Sequence, residues 1–390
     1  MASILLRRRG QRRVLAGHPW IYRADVDGTA GAPEKGDVVD VYGAGRRFLG
    51  RGYVNPDSQI FGRLLTRATE PIDASFFRRR IGDAMAYRQR LAIPSTAVRM
   101  VYAEADALPG LLLDRYGDVV VLQILTAGME RLRGVLLPVI QELFHPRGIF
   151  LRNDAPSRLL EGLPLEKTVL GNLFDPVVTI EEADLRFQVD IATGQKTGFF
   201  LDQRDNRLAV RPLAAGRAVL DCFCYTGGFG LHAAKAGARS VEGIDISAEA
   251  VAGATENAKL NDLADRCSFR KGNTFDELRR LEEGGRHFDL IILDPPAFTK
   301  SKEAVAGALR GYKEINLRAM KLLAPGGILV TSSCSYHLSE EIFLGMLEDA
   351  AADAGARCRI LAVRSQSGDH PALLGVKESK YLKCICLERL

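Results

Sequence analysis

Residues 219–234 read VLDCFCYTGGFGLHAA, and this stretch decides the fold. Its apolar start indicates a buried strand that ends at Asp221, and GLHAA favours a helix. A strand, a glycine-bearing turn and a helix in this order form the crevice where a doubly wound sheet binds a nucleotide-like ligand. Because the turn does not read GxGxxG, we do not expect a pyrophosphate there. We expect Asp221 to meet a cation or an amino group instead.

Strand and helix patterns alternate from about residue 185 to the end of the chain. Strands are predicted, for example, at SVEGID, FDLIILD and GGILVTSSC, with helical patterns between them. This alternation predicts an α/β fold with a mainly parallel sheet and helices on both faces. The segment LRFQVDIATGQKTGFF at 185–200 predicts a hairpin with ATGQKTG as its turn.

The first half of the chain differs in pattern from the second. Residues 1–70 hold short runs of period two, closed by Gly or Pro-Asp, that predict a small β-barrel. Residues 71–180 predict a mixed α/β unit. A chain of 390 residues is long enough for two or three domains. We therefore predict domains at 1–70, 71–180 and 181–390.

Composition and charge narrow the class of protein. No apolar run approaches the length of a membrane span. The apolar stretch within MASILLRRRGQRR is too short for a secretory signal. Seven cysteines without a CxxC pattern predict reduced thiols in the cytoplasm and no metal site. The net charge of +5 arises in residues 1–70, which hold 12 Lys and Arg against 7 Asp and Glu. That excess indicates a polyanionic partner.

Polar residues end three successive predicted strands of the second half. Asp221 ends the first and Asp245 the second, where a carboxylate can accept hydrogen bonds from both ribose hydroxyls. Asn273 follows the third strand and can bond an adenine edge. Each residue alone is typical of a helix cap, but three in order predict a ligand pocket at one edge of the sheet. The turn adds three lining residues: Phe223, Tyr225 and Gly227.

The order of DCFCYTGGFG, EGID, KGN and DPPAF resembles the class I S-adenosylmethionine-dependent methyltransferases. Together with HPWIY, TGQKTGFFLDQR and SSCSYH, the whole chain resembles the bacterial 23S rRNA cytosine-5 methyltransferases that carry an N-terminal PUA domain. The resemblance implies S-adenosylmethionine as cofactor, 23S rRNA as partner, a PUA-like RNA-binding domain at 1–70 and a Rossmann-like methyltransferase domain at 181–390. It also implies that FFLDQR closes over the cofactor, with Phe200, Asp202 and Arg204 lining it. A homodimer is left open.

The segment LDPPAFTK at 293–300 follows a strand and presents a carboxylate and two rigid prolines. Methyltransferases acting on exocyclic amines use a related Asp-Pro-Pro-aromatic turn, in which the aromatic ring stacks on the base. Here Ala297 fills the aromatic place, so this loop alone does not choose between amine and carbon chemistry. The residues that we expect to meet the substrate are Pro295, Pro296, Phe298 and Lys300.

The strand GGILVTSSCSYHLS ends in a polar loop that holds Cys334. Carbon 5 of cytosine is a poor nucleophile until a thiolate adds to carbon 6. We therefore predict Cys334 as the nucleophile and Asp294 as the residue that steadies the base. A buried structural cysteine is the alternative, but the serines and Tyr336 around it predict a solvated loop.

Two other functions stay open. One is an amino-group methyltransferase of the N6-adenine type, and the other is an RNA-binding factor with an inactive methyltransferase domain. Related enzymes carry a second cysteine, thought to help break the covalent adduct, where this chain has Ala297. The group that releases the product is therefore undefined, and His337 is a candidate only by proximity.

Overall fold

The structure, a computed structural model, describes residues 2–299 and 304–390. The chain divides into two compact units. The first holds Met1–Glu181, Val189–Leu201 and Gly368–Ser379, and the second holds Glu182–Gln188, Asp202–Ser367 and Lys380–Leu390.

A six-stranded sheet begins the first unit. Its strands are β1 Ser3–Leu6, β2 Trp20–Ile21, β3 Val26–Ala30, β4 Val38–Tyr42, β5 Phe48–Val54 and β6 Gly62–Thr66, in the order β2-β6-β5-β4-β1-β3, and helix α1 is Arg8–Leu15. Alternate residues of β4, such as Val39 and Val41, are buried, as the period-two pattern predicts. The period-two runs DVVDVYG, RRFLGRGYV and QIFGRLLTR predict three strands, which correspond to β4, β5 and β6. The elements before them, β1 to β3 and α1, were not predicted.

A five-stranded sheet with helices follows in the same unit. Its elements are α2 Ala74–Arg90, β7 Ala97–Tyr102, β8 Leu111–Tyr116, β9 Val119–Ile124, α3 Ala127–Arg131, α4 Arg133–Phe144, β10 Gly148–Asn153, α5 Ser157–Leu160 and β11 Glu166–Leu170, with strand order β11-β10-β9-β8-β7. Asp73 caps α2 by accepting a hydrogen bond from the backbone N–H of Phe76. Phe77 and Ile81 of α2 are buried in one core with Leu122 of β9. The mixed α/β pattern predicted for this region is confirmed.

The predicted hairpin at 185–200 is wrong in its turn. Strands β12 Val177–Glu182 and β13 Leu185–Asp190 form a two-stranded sheet, so the partner of β13 precedes it in the chain. The Asp190 side chain accepts hydrogen bonds from the backbone N–H groups of Ala192 and Thr193. This local turn ends β13, and TGQKTG continues as a loop rather than as a link to a second strand.

A seven-stranded sheet forms the core of the second unit. Its elements are α6 Arg204–Val210, β14 Ala218–Cys222, α7 Gly228–Lys235, β15 Ser240–Asp245, α8 Ala248–Leu260, β16 Cys267–Lys271, α9 Thr274–Glu283, β17 Phe288–Leu293, α10 Val305–Leu322, β18 Leu323–Ser333, α11 Glu340–Asp353, β19 Cys358–Arg364 and β20 Lys383–Arg389. The order is β16-β15-β14-β17-β18-β20-β19. Strands β14 to β18 are parallel, and β20 is antiparallel to β18 and β19. The predicted mainly parallel sheet is confirmed.

The order of these strands locates the site. The chain runs outward from β14 through β15 to β16, and then returns to β17 on the other side of β14. Ligands of such sheets bind outside the carboxyl ends of the strands at this point of reversal. No helix within the described residues is long and apolar enough to cross a membrane.

Candidate active site

Four of the predicted site residues come to one edge of the sheet in the second unit. Asp221 and Asp245 lie at the ends of β14 and β15, Asp294 directly follows β17, and Cys334 directly follows β18. The register pairs Cys222 with Leu293, and Leu293 with Thr331, so these strands end at similar heights. Neighbouring strands lie about 4.8 Å apart. The four residues therefore follow one another along the edge.

Asp221 is buried and only half satisfied. Its Oδ2 accepts a hydrogen bond of 2.8 Å from the backbone N–H of Gly230, whereas its Oδ1 has no hydrogen-bond partner among the described residues. Burial raises the pKa of this carboxyl to about 8, and the charges of Asp294 and Asp245 add to the rise. A buried carboxylate of this kind fits a cationic or amino partner, because such a partner would compensate both its charge and its orphan oxygen.

The turn after β14 holds an uncommon backbone conformation. Phe223 has a φ of 62° and Tyr225 a φ of 48°, and Gly227 follows with 84°. Left-handed conformations of non-glycine residues cost about 1–3 kcal/mol each and cluster at ligand sites. A Cβ on Gly227 would lie 3.2 Å from the Cβ of Ala254, so a side chain there would crowd α8. The turn is strained in a way typical of a binding loop.

Asp245 ties this turn to the next helix. Its Oδ2 accepts from the backbone N–H of Tyr225 and its Oδ1 from that of Ser247, both at 2.9 Å. A carboxylate has about four lone-pair positions, so capacity remains for two hydroxyl donors. The Oδ1 of exposed Asn273 accepts from the backbone N–H of Phe275 and caps α9. The helix-cap alternative is therefore realised at Asn273, and its amide nitrogen is the group left to donate to a base.

Asp294 is oriented by a residue that sequence reasoning missed. Gln203 donates from Nε2 to the Oδ1 of Asp294 at 2.7 Å. Asn206 in turn donates to the Oε1 of Gln203 at 2.6 Å, which sets the orientation of the Gln203 amide. Gln203 lies inside the FFLDQR segment noted above, but nothing in its spacing pointed to Asp294.

The loop after Asp294 places its aromatic ring inward. Phe298 is half-buried, and its ring centroid lies 4.6 Å from that of Tyr312 and 5.8 Å from that of Phe275. Pro295 is buried and Pro296 is exposed. Lys300 lies outside the described residues. The contacts of these four residues with a substrate stay predictions.

Cys334 is half-buried, and its neighbours Ser333 and Ser335 both contact the side chain of Tyr312. The buried hydroxyl of Tyr312 lies 3.0 Å from the Oγ of Ser333 and 3.0 Å from the Oγ of Ser335. The serines around Cys334 predicted a solvated loop. That prediction is wrong for Ser333 and Ser335, because both are buried. Burial raises the pKa of Tyr312, so that its hydroxyl is neutral. The turn that carries Cys334 is thus a fixed structure, with exposed Tyr336 on its outer side.

The residues predicted to close over the cofactor fall in different units. Phe200 belongs to the first, where Lys196 Nζ lies 4.7 Å from its ring centroid. Asp202 and Arg204 belong to the second and are buried, and Asp202 accepts a hydrogen bond from the hydroxyl of Tyr381. The role of all three at the cofactor stays a prediction.

Two family models match the chain. A model described as S-adenosylmethionine-dependent methyltransferase matches residues 151–366, and one described as PUA-like domain matches residues 4–67. The chain is 42% identical to "Ribosomal RNA large subunit methyltransferase I" of Shewanella denitrificans over 96% of both chains. It is also 42% identical to the protein of that name in Tolumonas auensis, over 98% of both.

Solved structures show the same fold. A SAM-dependent methyltransferase structure from Streptococcus mutans covers 100% of both chains with a TM-score of 0.84 at 20% identity. A methyltransferase structure complexed with SAH also covers 100% of both chains, with a TM-score of 0.86 at 20% identity.

Proposed function

We propose, from the premise that this chain belongs to the S-adenosylmethionine-dependent methyltransferase family, that it methylates carbon 5 of a cytosine in 23S rRNA. Relatives that are 42% identical over nearly the whole chain carry the name of a large-subunit ribosomal RNA methyltransferase. The observation that carries the choice of carbon 5 is the position of Cys334, one strand from Asp294 and two strands from Asp221. Such a substrate places the enzyme in the cytoplasm.

The residues at the edge of the sheet fit the cofactor. S-adenosylmethionine supplies a methyl group on a positively charged sulfur. The orphan Oδ1 of buried Asp221 suits the cofactor's amino group, and the free lone pairs of Asp245 suit the ribose hydroxyls. The amide nitrogen of Asn273 suits a hydrogen bond to the edge of the adenine. The turn from Phe223 through Tyr225 to Gly227 lets the backbone approach the ligand.

Cys334 supplies the nucleophile in this proposal. Its thiolate adds to carbon 6 of the cytosine, and the electron pair of the C5–C6 double bond becomes available at carbon 5. Carbon 5 forms a bond to the methyl group, whose bond to the sulfonium sulfur breaks. A base then removes the proton from carbon 5, the double bond re-forms and the thiolate leaves. The cytosine must first leave its stack, so a single-stranded or loosely paired target is expected.

Asp294 steadies the base, since Gln203 holds its carboxylate in one orientation beside Cys334. Replacing Asp294→Asn keeps the shape and the acceptor for Gln203 but removes the charge. We expect single-turnover methyl transfer to slow by about 10²–10³-fold, the usual effect of losing one electrostatic contact to the transition state. Wild-type rates in the variant would contradict this role. Gln203→Ala, which removes this hydrogen bond without removing the charge of Asp294, should have a smaller effect.

The amino-group alternative makes the opposite prediction. In that chemistry Asp294 would bond the exocyclic amine and Cys334 would be dispensable. Phe298, the aromatic residue of the loop, packs against Tyr312 and Phe275, which favours a role in the core over a stacking platform. An inactive RNA-binding factor would have no reason to keep the strained turn and the buried carboxylate of Asp221.

Arginines at the start of α1 and between β4 and β5 support an RNA partner. Arg7, Arg8 and Arg46 line a cleft of about 400 Å3 beside α1. Arg8, Arg46 and the neighbouring Arg47 are exposed and form no ion pair within the described part of the chain. We call these three residues the basic patch. Unpaired exposed arginines suit the phosphates of a nucleic acid.

Replacing all three residues of the basic patch with Gln should weaken RNA binding and flatten its salt dependence. Each lost phosphate contact removes about 0.7 from the slope of log K against log salt for single strands, so a fall of roughly 2 is expected. The matched control replaces three exposed arginines that already pair with carboxylates: Arg78, Arg147 and Arg359. Equal slopes in the two triple variants would refute a special role for the patch. A homodimer stays an expectation, which light scattering can check.

A further inference from the structure

Lys383 is a buried cation that the mechanism above does not use. It begins β20 and pairs with Ser333 of β18 in the antiparallel register, beside the turn that carries Cys334. Only 5% of the residue is exposed. Sequence reasoning did not single it out, because it lies 49 positions after Cys334 and no spacing connects the two.

The ammonium group of Lys383 is fixed on the turn itself. Its Nζ donates to the backbone oxygen of Ser335 at 2.7 Å and to that of Tyr381 at 2.8 Å. Two of its three donors are therefore held by carbonyls, one of them on the residue directly after Cys334. The third donor direction is set by the other two.

No carboxylate pairs with Lys383 among the described residues. Glu340, whose charge acts on Lys383, pairs with Lys380 at 3.3 Å. Tyr312 is neutral, and Asp294 accepts a hydrogen bond from Gln203. A buried charge without a partner is costly. Two groups around Lys383 compensate its charge when they are ionised: Cys334 has the larger effect and Glu340 the smaller.

We propose that Lys383 is a positioning residue whose ammonium group pairs with the Cys334 thiolate and keeps it ready to add to the cytosine, an inference that rests on the function proposed above. A nearby cation favours the thiolate form of Cys334. The charge of Cys334 acts on Lys383 in turn. Burial lowers the pKa of Lys383 to about 8, and the negative charge of Cys334 opposes this shift.

The test measures the reactivity of Cys334 without RNA or cofactor. Full-length protein is alkylated with iodoacetamide from pH 5 to pH 10, and mass spectrometry follows the peptide that contains Cys334, so the other six cysteines do not interfere. We expect the wild-type rate to reach half its plateau below about 8.5, the usual cysteine value. In Lys383→Gln the midpoint should rise by about one pH unit or more, and the rate at pH 7 should fall by about tenfold.

Lys383→Gln removes the charge and keeps two N–H donors in the same direction, one bond closer to the backbone. Lys383→Arg keeps the charge and should keep the low midpoint. Lys380→Gln, which removes a neighbouring lysine that is already paired, is the matched control and should leave the midpoint in place. Equal midpoints in wild type and Lys383→Gln would overturn the proposal. A wild-type midpoint at or above the usual value would do so even if the variant failed to fold.

This readout is independent of methyl transfer. If Cys334→Ala were fully active, the proposed function would fail whatever the alkylation profile. If the profile were unchanged by Lys383→Gln while Cys334→Ala was inactive, only the role of Lys383 would fail.

Discussion

Replacing Cys334 with alanine should abolish methyl transfer to cytosine and leave cofactor binding unchanged. Alanine removes the thiolate that adds to carbon 6, so carbon 5 never becomes nucleophilic. Loss of a catalytic nucleophile lowers the rate by roughly 10⁴-fold or more. The turn should persist, because Tyr312 holds Ser333 and Ser335 through their hydroxyls.

The decisive measurement is single-turnover methyl transfer with the product nucleoside identified by mass spectrometry. Cys358→Ala is the matched control, since Cys358 is a second half-buried cysteine in the same sheet and far from the carboxyl ends of the strands. RNA that contains 5-fluorocytosine should trap wild type and Cys358→Ala in a denaturing gel but not Cys334→Ala. A fully active Cys334→Ala enzyme, or a product methylated on an exocyclic nitrogen, would refute the mechanism.

Asp245→Ala should weaken binding of S-adenosylmethionine by about 10- to 150-fold. This corresponds to about 1.5–3 kcal/mol, the usual cost of losing a hydrogen bond to a charged group. The substitution also removes the acceptor for the backbone N–H groups of Tyr225 and Ser247, so part of the loss could come through the turn. The experiment therefore has to separate contact with the ribose from support of the turn.

A cofactor analogue without a ribose hydroxyl makes that separation. Calorimetry with S-adenosylhomocysteine and its deoxyribose analogue should show a clear preference for the ribose form in wild type. Asp245→Ala should lose that preference, whereas a defect confined to the turn would weaken both ligands equally. Asp245→Asn, which keeps one acceptor, should be intermediate. Unchanged affinity in Asp245→Ala would remove this residue from the pocket.

Much of the second unit was predictable from local pattern. The apolar runs that became β14, β15, β17 and β18 are short and bounded by polar or glycine residues, and the structure places each where the pattern predicted it. A strand in the middle of a parallel sheet is buried on both faces, which produces such runs. The polar residues at the ends of these runs could be recognised in the sequence because they directly follow apolar residues. The assignment of Asp221, Asp245, Asp294 and Cys334 to individual contacts stays a prediction.

Predictions failed where a local side-chain contact or a distant partner decided the outcome. The hairpin at 185–200 was placed wrongly because Asp190 turns the chain through its own side chain. The serines around Cys334 looked solvated by residue type, yet Tyr312 of α10 buries them. Neither effect has a periodic signature in the sequence.

By itself the sequence determined the class of fold, the succession of strands and helices along the second unit, and the strand ends whose polar residues we propose for the chemistry. These follow from periods of 2 and 3.6 residues and from turn residues, which are local properties of the chain. Only the tertiary structure decided that Gln203 orients Asp294 and that Lys383 lies against the turn of Cys334. The first contact joins residues 91 positions apart, and the second joins Lys383 to Ser335, 48 positions away. The second contact depends on the register of β18 with β20. That register is set by packing of the whole sheet, which no local pattern records.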